Sequence, residues 1–107
     1  MNTKYDPKDK LLFIEITEEI DHYTTEKIRR KADYEIQRYM PKKVILDFNK
    51  VSFMDSSGIG MVVGRFKLVK MIGGQLFIEN INENLEKIFK MSGLQKIIPI
   101  KNDAIKN

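Results

Sequence analysis

The sequence predicts an α/β layer fold in which strands alternate with helices and the central strands run parallel. Three observations carry this. LLFIEIT at 11–17 keeps Leu12, Ile14 and Ile16 at period two on one face of a strand, residues 24–40 place apolar side chains at three- and four-residue steps, and VILDF at 44–48 is a near-continuous apolar run. Strands separated by helices in this way call for right-handed crossovers between parallel neighbours. A chain of 107 residues is the usual size for one layered core, so a single domain over 1–107 is expected.

The elements follow in order. Residues 3–5 pair with the strand at 11–17 through a turn at DPKDK, whose proline and aspartates favour turns. In that strand Leu12, Ile14 and Ile16 share one face, and Leu11, Phe13 and Glu15 the other. Ile28, Ala32, Ile36, Tyr39 and Met40 mark the buried face of the first helix, which Pro41 ends. Residues 44–48 read as a strand buried on both faces. A second helix spans about 57–71, stopped by Gly73 and Gly74, and a strand follows at 75–78. Asn82 is a good N-cap for a third helix carrying Leu85, Ile88 and Phe89, and Gly93 suits the left-handed position that closes it. The last strand, 97–100, contains Pro99 and is therefore expected at a sheet edge. A short helix start is expected at Asp103.

Composition excludes several classes. With 42% hydrophobic and 32% charged residues the chain reads as an ordinary globular protein, and no apolar run approaches the roughly 20 residues of a spanning helix. The N-terminal MNTKYDPKDK lacks a signal-peptide apolar core, so a cytoplasmic protein is expected, without a membrane partner. The absence of cysteine removes disulfides, thiolate metal sites and thiol nucleophiles, and the single His22 removes a multi-histidine metal site. The net charge of +4 is spread along the chain. Its densest group, Lys27, Arg29, Arg30 and Lys31, is interleaved with carboxylates, which reads as a solvated helix face rather than a nucleic-acid surface.

Two enzyme readings fail on spacing. Gly58, Gly60 and Gly64, with Glu79 further on, loosely match a dinucleotide fingerprint, but about nine residues separate the preceding strand from Gly58 where a tight turn is needed. Close helix packing is the better use of Gly60 and Gly64. A hydrolytic triad of Ser56 or Ser57 with His22 and Asp55 lacks the nucleophile elbow. No catalytic residue, metal or cofactor is assigned.

What remains is the stretch FMDSSGIGMVVGRFK at 53–67. Asp55, Ser56 and Ser57 are all good helix starters, and one cap suffices. At least one hydroxyl is then left for solvent or a partner, at a helix N-terminus where an added phosphate is tolerated electrostatically. On the second helix Ile59, Val62, Val63, Phe66 and Val69 share the arc expected to face the sheet, with Met61, Leu68 and Ile72 almost opposite. Periodicity leaves two uses for that second stripe: burial against another helix, or an exposed patch for a protein partner.

EIDHYT at 19–24, VILDFNKVSFMDSSGIGMVVGRFK at 44–67, IGGQLFIENI at 72–81 and IFKMSGLQKIIPI at 88–100 together resemble the anti-sigma factor antagonists of spore-forming bacteria, in the STAS domain family, most of all those acting on the anti-sigma-F factor. The resemblance spans essentially the whole chain. It implies a single STAS domain with a small mixed β-sheet of about five strands packed with helices, and a non-enzymatic, phosphorylation-controlled switch. In that family the unphosphorylated antagonist binds an ATP-binding anti-sigma factor that is also a serine kinase, phosphorylation ends the interaction, and a serine phosphatase restores it, which implies positive regulation of sporulation transcription. The alternatives are a general-stress antagonist or a constitutive STAS scaffold. The matching phosphorylation site is Ser56, with Asp21, His22, Asp55, Ser57, Gly58, Ile59, Met61 and Arg65 implied on the partner-binding surface and Asp21 as the residue pairing with a partner cation. A monomer is expected.

Overall fold

The structure, a computed structural model, describes residues 1–102. Its elements are β1 (Asn2–Asp6), β2 (Leu11–Glu15), α1 (Thr25–Tyr39), β3 (Lys43–Asp47), α2 (Ser57–Met71), β4 (Gln75–Glu79), α3 (Glu83–Ser92), a 3-10 turn (Leu94–Lys96) and β5 (Ile100–Lys101). The strands form one mixed sheet in chain order, β1-β2-β3-β4-β5, with β1 antiparallel to β2 and every other pair parallel. The expected α/β fold with five strands is what forms. Among the described residues no helix is long and apolar enough to cross a membrane. The helix start expected at Asp103 lies outside the described residues.

The core lies on one face of the sheet. Leu12, Ile14, Val44, Leu46, Leu76 and Ile78 are fully buried beneath Ile28, Ala32 and Ile36 of α1 and Val62 and Val69 of α2. The opposite face carries Phe13, Ile45 and Phe77 side by side in register, each only partly covered. This corrects the expectation that the third strand is buried on both faces. Because strand order equals chain order, successive right-handed crossovers send α1 and α2 to the same side, and the other face keeps a solvent-facing alternation.

Helix ends follow local chemistry. α1 stops where Met40 enters the left-handed region (φ 47°) ahead of Pro41. The Asn82 side chain accepts the Leu85 N–H at 2.9 Å, and Gly93 closes α3 at φ 77°, both as the sequence predicts. Phe89 of α3 meets Phe48, just past β3, edge to face at 5.8 Å between ring centres. The last strand is shorter and later than the expected 97–100. A 3-10 turn occupies 94–96, and Pro99, unable to donate, offers its carbonyl to the Ile78 N–H at 2.9 Å. Its edge position is as expected.

Candidate functional site

Three loops leave the C-terminal ends of β2, β3 and β4 and are tied to one another. The Ile20 N–H donates to the Phe53 carbonyl and the Asp55 N–H to the Ile20 carbonyl, each at 3.0 Å, making a parallel bridge between Ile20 and Met54. The Glu19 carboxylate accepts the Ser52 N–H at 3.0 Å and the Ser52 hydroxyl, and this hydroxyl above all holds the Glu19 carboxyl below its usual value. From the third loop, the Asn82 amide donates to the carbonyls of Val51 and Ser52 at 3.2 and 3.3 Å. Buried Ile20, Val51 and Met54 anchor the assembly from below.

The stitched loops present two helix starts. Ahead of α1, Asp21 and Thr24 cap each other: Asp21 Oδ1 accepts the Tyr23 and Thr24 N–H groups at 2.8 and 2.9 Å, and the Asp21 N–H donates to the Thr24 hydroxyl at 2.9 Å. This is a reciprocal capping box with a threonine in place of the usual Glu or Gln. Ahead of α2, Asp55 Oδ1 accepts the Ser57 N–H at 2.9 Å and the Ser57 hydroxyl. The Asp55 carboxyl is held below its usual value, first by the Ser57 hydroxyl, then by the Ser57 N–H, with the His22 backbone N–H and ring adding to both.

The three candidate caps are therefore not equivalent. Asp55 does the capping and Ser57 answers it. Ser56, at φ −62° and ψ −21°, makes no side-chain cap, is exposed, and its hydroxyl has no hydrogen-bond partner among the described residues. One free hydroxyl is left at the start of a 15-residue helix whose positive end faces it.

Asp21, His22, Asp55, Ser56 and Ser57 are brought onto one surface, with Gly58 and Ile59 directly beneath. Met61 and Arg65 are corrections. Met61 is 4% exposed and Arg65 5%, so neither offers an open face to a partner. The buried arc of α2 centres on Gly58, Met61, Val62, Arg65 and Val69, turned by roughly a fifth of a turn from the predicted one. α2 is apolar almost all round, so its pattern could not fix its orientation, and packing against α1 does so instead. Gly60 and Gly64 are a second correction, since a Cβ at either would meet nothing within 4 Å. The glycine that packing requires is Gly58, where a Cβ would fall inside the Met54 side chain and 3.0 Å from Ile20 Cγ2.

Between the two helix starts lies a groove of about 160 Å³ lined by Thr25, Glu26, Arg29, Ser57, Gly60 and Met61. A larger cavity of about 280 Å³ lies between β1 and α1, and none of the expected site residues lines it. Among the described residues no three His, Asp or Glu side chains are grouped to hold a metal. Two exposed aromatics on the tied loops, Tyr23 and Phe53, escaped the sequence reading. Their signal was one of phase: Tyr23 falls outside the stripe of Ile28, Ala32 and Ile36, and Phe53 sits between the buried Val51 and Met54. Glu19 escaped too, because its partner Ser52 is 33 residues away.

The STAS domain family model matches residues 2–104. The chain is 35% identical over 95 residues to the anti-sigma F factor antagonist of Paenibacillus polymyxa, covering 89% of this chain and 81% of that one. It is 37% identical over 102 residues to the anti-sigma-B factor antagonist of Bacillus subtilis, covering 94% and 92%. Among solved structures, the Bacillus anti-sigma factor antagonist SpoIIAA superposes in its unphosphorylated form with a TM-score of 0.79 at 28% identity, over 98% of this chain and 90% of that one. Its phosphorylated form superposes with a TM-score of 0.71, over 98% and 94%.

Proposed function

The chain belongs to the STAS domain family, among its anti-sigma factor antagonists, which are regulators and not enzymes, and from that premise we propose that it is a cytoplasmic, monomeric partner switch thrown at Ser56. In its unmodified form it binds an ATP-binding anti-sigma factor and so releases a sigma factor. That same partner, acting as a serine kinase, phosphorylates Ser56 and ends the complex, and a serine phosphatase resets it.

The observation that carries this reading is the division of labour between the two serines. The Ser57 hydroxyl is engaged by Asp55, while the Ser56 hydroxyl is exposed and unengaged. A phosphate on Ser56 adds about −1.5 to −2 charges without breaking a cap. The domain stays folded, and the effect falls on whatever docks there. Against a partner's nucleotide phosphates or acidic groups that charge is repelled, at a cost of several kcal/mol, each 1.4 kcal/mol being about tenfold in affinity. Asp21 supplies a charged contact to the partner beside it. That SpoIIAA has been solved in both phosphorylation states, both superposing on this chain, supports a switch that works without refolding.

The sigma factor released is proposed to be of the sporulation F class, as for the Paenibacillus relative. A general-stress role is the second reading, favoured by the 37% identity to the anti-sigma-B factor antagonist over 94% of the chain. Mixing the protein with purified F-type or B-type anti-sigma factor of the same organism, with ATP, decides both questions. One phosphate per chain, mapped to Ser56 by mass spectrometry and absent in Ser56→Ala, is expected with the F-type partner. Phosphate mapped to Ser57, or acceptance from neither partner, overturns the reading.

A further inference from the structure

We propose that Tyr23 and Phe53 are the apolar anchors by which the anti-sigma factor grips this surface, and that they hold the complex while Ser56 switches it. This rests on the partner-switching reading above. Tyr23 is 87% exposed and Phe53 53% exposed, and neither belongs to the core. Solvent-facing aromatics on a floppy loop would mean little, but these two are held in place. Phe53 lies between buried Val51 and Met54, its carbonyl fixed by the Ile20 N–H. The Tyr23 N–H is fixed by Asp21, and its ring rests edge-on against His22 at 5.6 Å. The His22 backbone N–H in turn points to the Asp55 carboxylate, which caps the helix that Ser56 precedes.

Aromatic side chains presented by a rigid backbone bury large area at low entropic cost, which is why they dominate binding hot spots. The neighbouring carboxylates Glu19, Asp21 and Asp55, each accepting N–H donors of the loops themselves, offer charge and no apolar area, which leaves that area to the two aromatics. The surface is thus continuous with the Ser56 hydroxyl and offers aromatic area around it. The partner it fits is one with apolar recesses beside its serine-recognition site. Because neither side chain is bonded to the Ser56 hydroxyl, the anchors act on recognition and not on phosphoryl transfer.

The test uses the full chain and the purified anti-sigma factor that binds the wild type. Tyr23→Ala and Phe53→Ala are each expected to weaken binding by about tenfold or more, with the loss persisting at high salt and the melting temperature unchanged. In the phosphorylation assay both raise KM and leave kcat alone. Met71→Ala, at the far end of α2 and 77% exposed, leaves binding unchanged. Affinities within about twofold of wild type for both aromatic variants overturn the anchor proposal while leaving the switch intact. A wild-type chain that binds neither anti-sigma factor overturns the switch and the anchors together.

Discussion

Asp33 of α1 places its Oδ1 2.7 Å from Nε of Arg65 in α2. Both atoms are shut off from solvent, and the N–H is not aligned for a hydrogen bond, so charge rather than directionality holds the pair. Burial pulls the Arg65 guanidinium below its usual value, and Asp33 opposes that pull. The guanidinium also donates to the Met61 carbonyl at 3.3 Å. Removing one partner of a buried pair leaves a charge without compensation. Asp33→Ala should lower stability by about 2 to 3 kcal/mol, discounted from the fully buried case because the Asp33 side chain is 22% exposed. Urea unfolding measures this, and an Asp33→Leu, Arg65→Met double variant should recover most of the loss.

This pair also marks where the sequence stops being readable. α1, the helix ends at Asn82 and Gly93, and the span of α2 were legible because periodicity and caps are local signals. Which way α2 faces is a tertiary decision. An arginine among Val62, Phe66 and Val69 reads as surface until Asp33, 32 positions earlier, is brought beneath it by the α1–α2 packing. The same holds at the site. The DSSG motif announced a helix start and the family resemblance pointed to Ser56, but the physical difference, Ser57 bonded to Asp55 and Ser56 without a side-chain cap, is a matter of loop geometry that residue pattern does not carry.

That separation predicts opposite phenotypes for neighbouring serines. Ser57→Ala removes the hydroxyl that Asp55 holds and should cost about 1 kcal/mol, in the range of a lost cap interaction. Ser56→Ala removes an exposed hydroxyl without a partner and should leave thermal unfolding unchanged, while abolishing phosphate uptake. Calorimetry of the two variants, with mass spectrometry after kinase treatment, checks both halves.

The glycines of α2 divide in the same way. Gly58→Ala drives a methyl into Met54 and against Ile20, and overpacking there should cost about 1 to 3 kcal/mol despite the gain in helix propensity. Gly60→Ala meets nothing within 4 Å and should stabilise the free protein by up to about 1 kcal/mol. Urea midpoints of the two variants should move in opposite directions.

Asp47 offers a pH test on the opposite side of the sheet. It lies in register with Glu15 on β2 and Glu79 on β4 and is only 4% exposed. Burial, helped by the Glu15 charge, raises its carboxyl above the usual value, although the Asn80 amide donates to Oδ1 at 2.7 Å. A carboxyl with a folded pKa above its unfolded one takes up a proton on folding in the interval between the two. Stability therefore falls as pH rises from the ordinary aspartate value of about 3.9 to the raised folded value, and the penalty stays in full above it. Asp47→Asn keeps an oxygen for Asn80 and removes the charge. It should raise the melting temperature at pH 7, with the gain shrinking through that interval and vanishing below it. A gain that is the same at pH 7 and at pH 3 would place the effect in packing, outside the charge of Asp47.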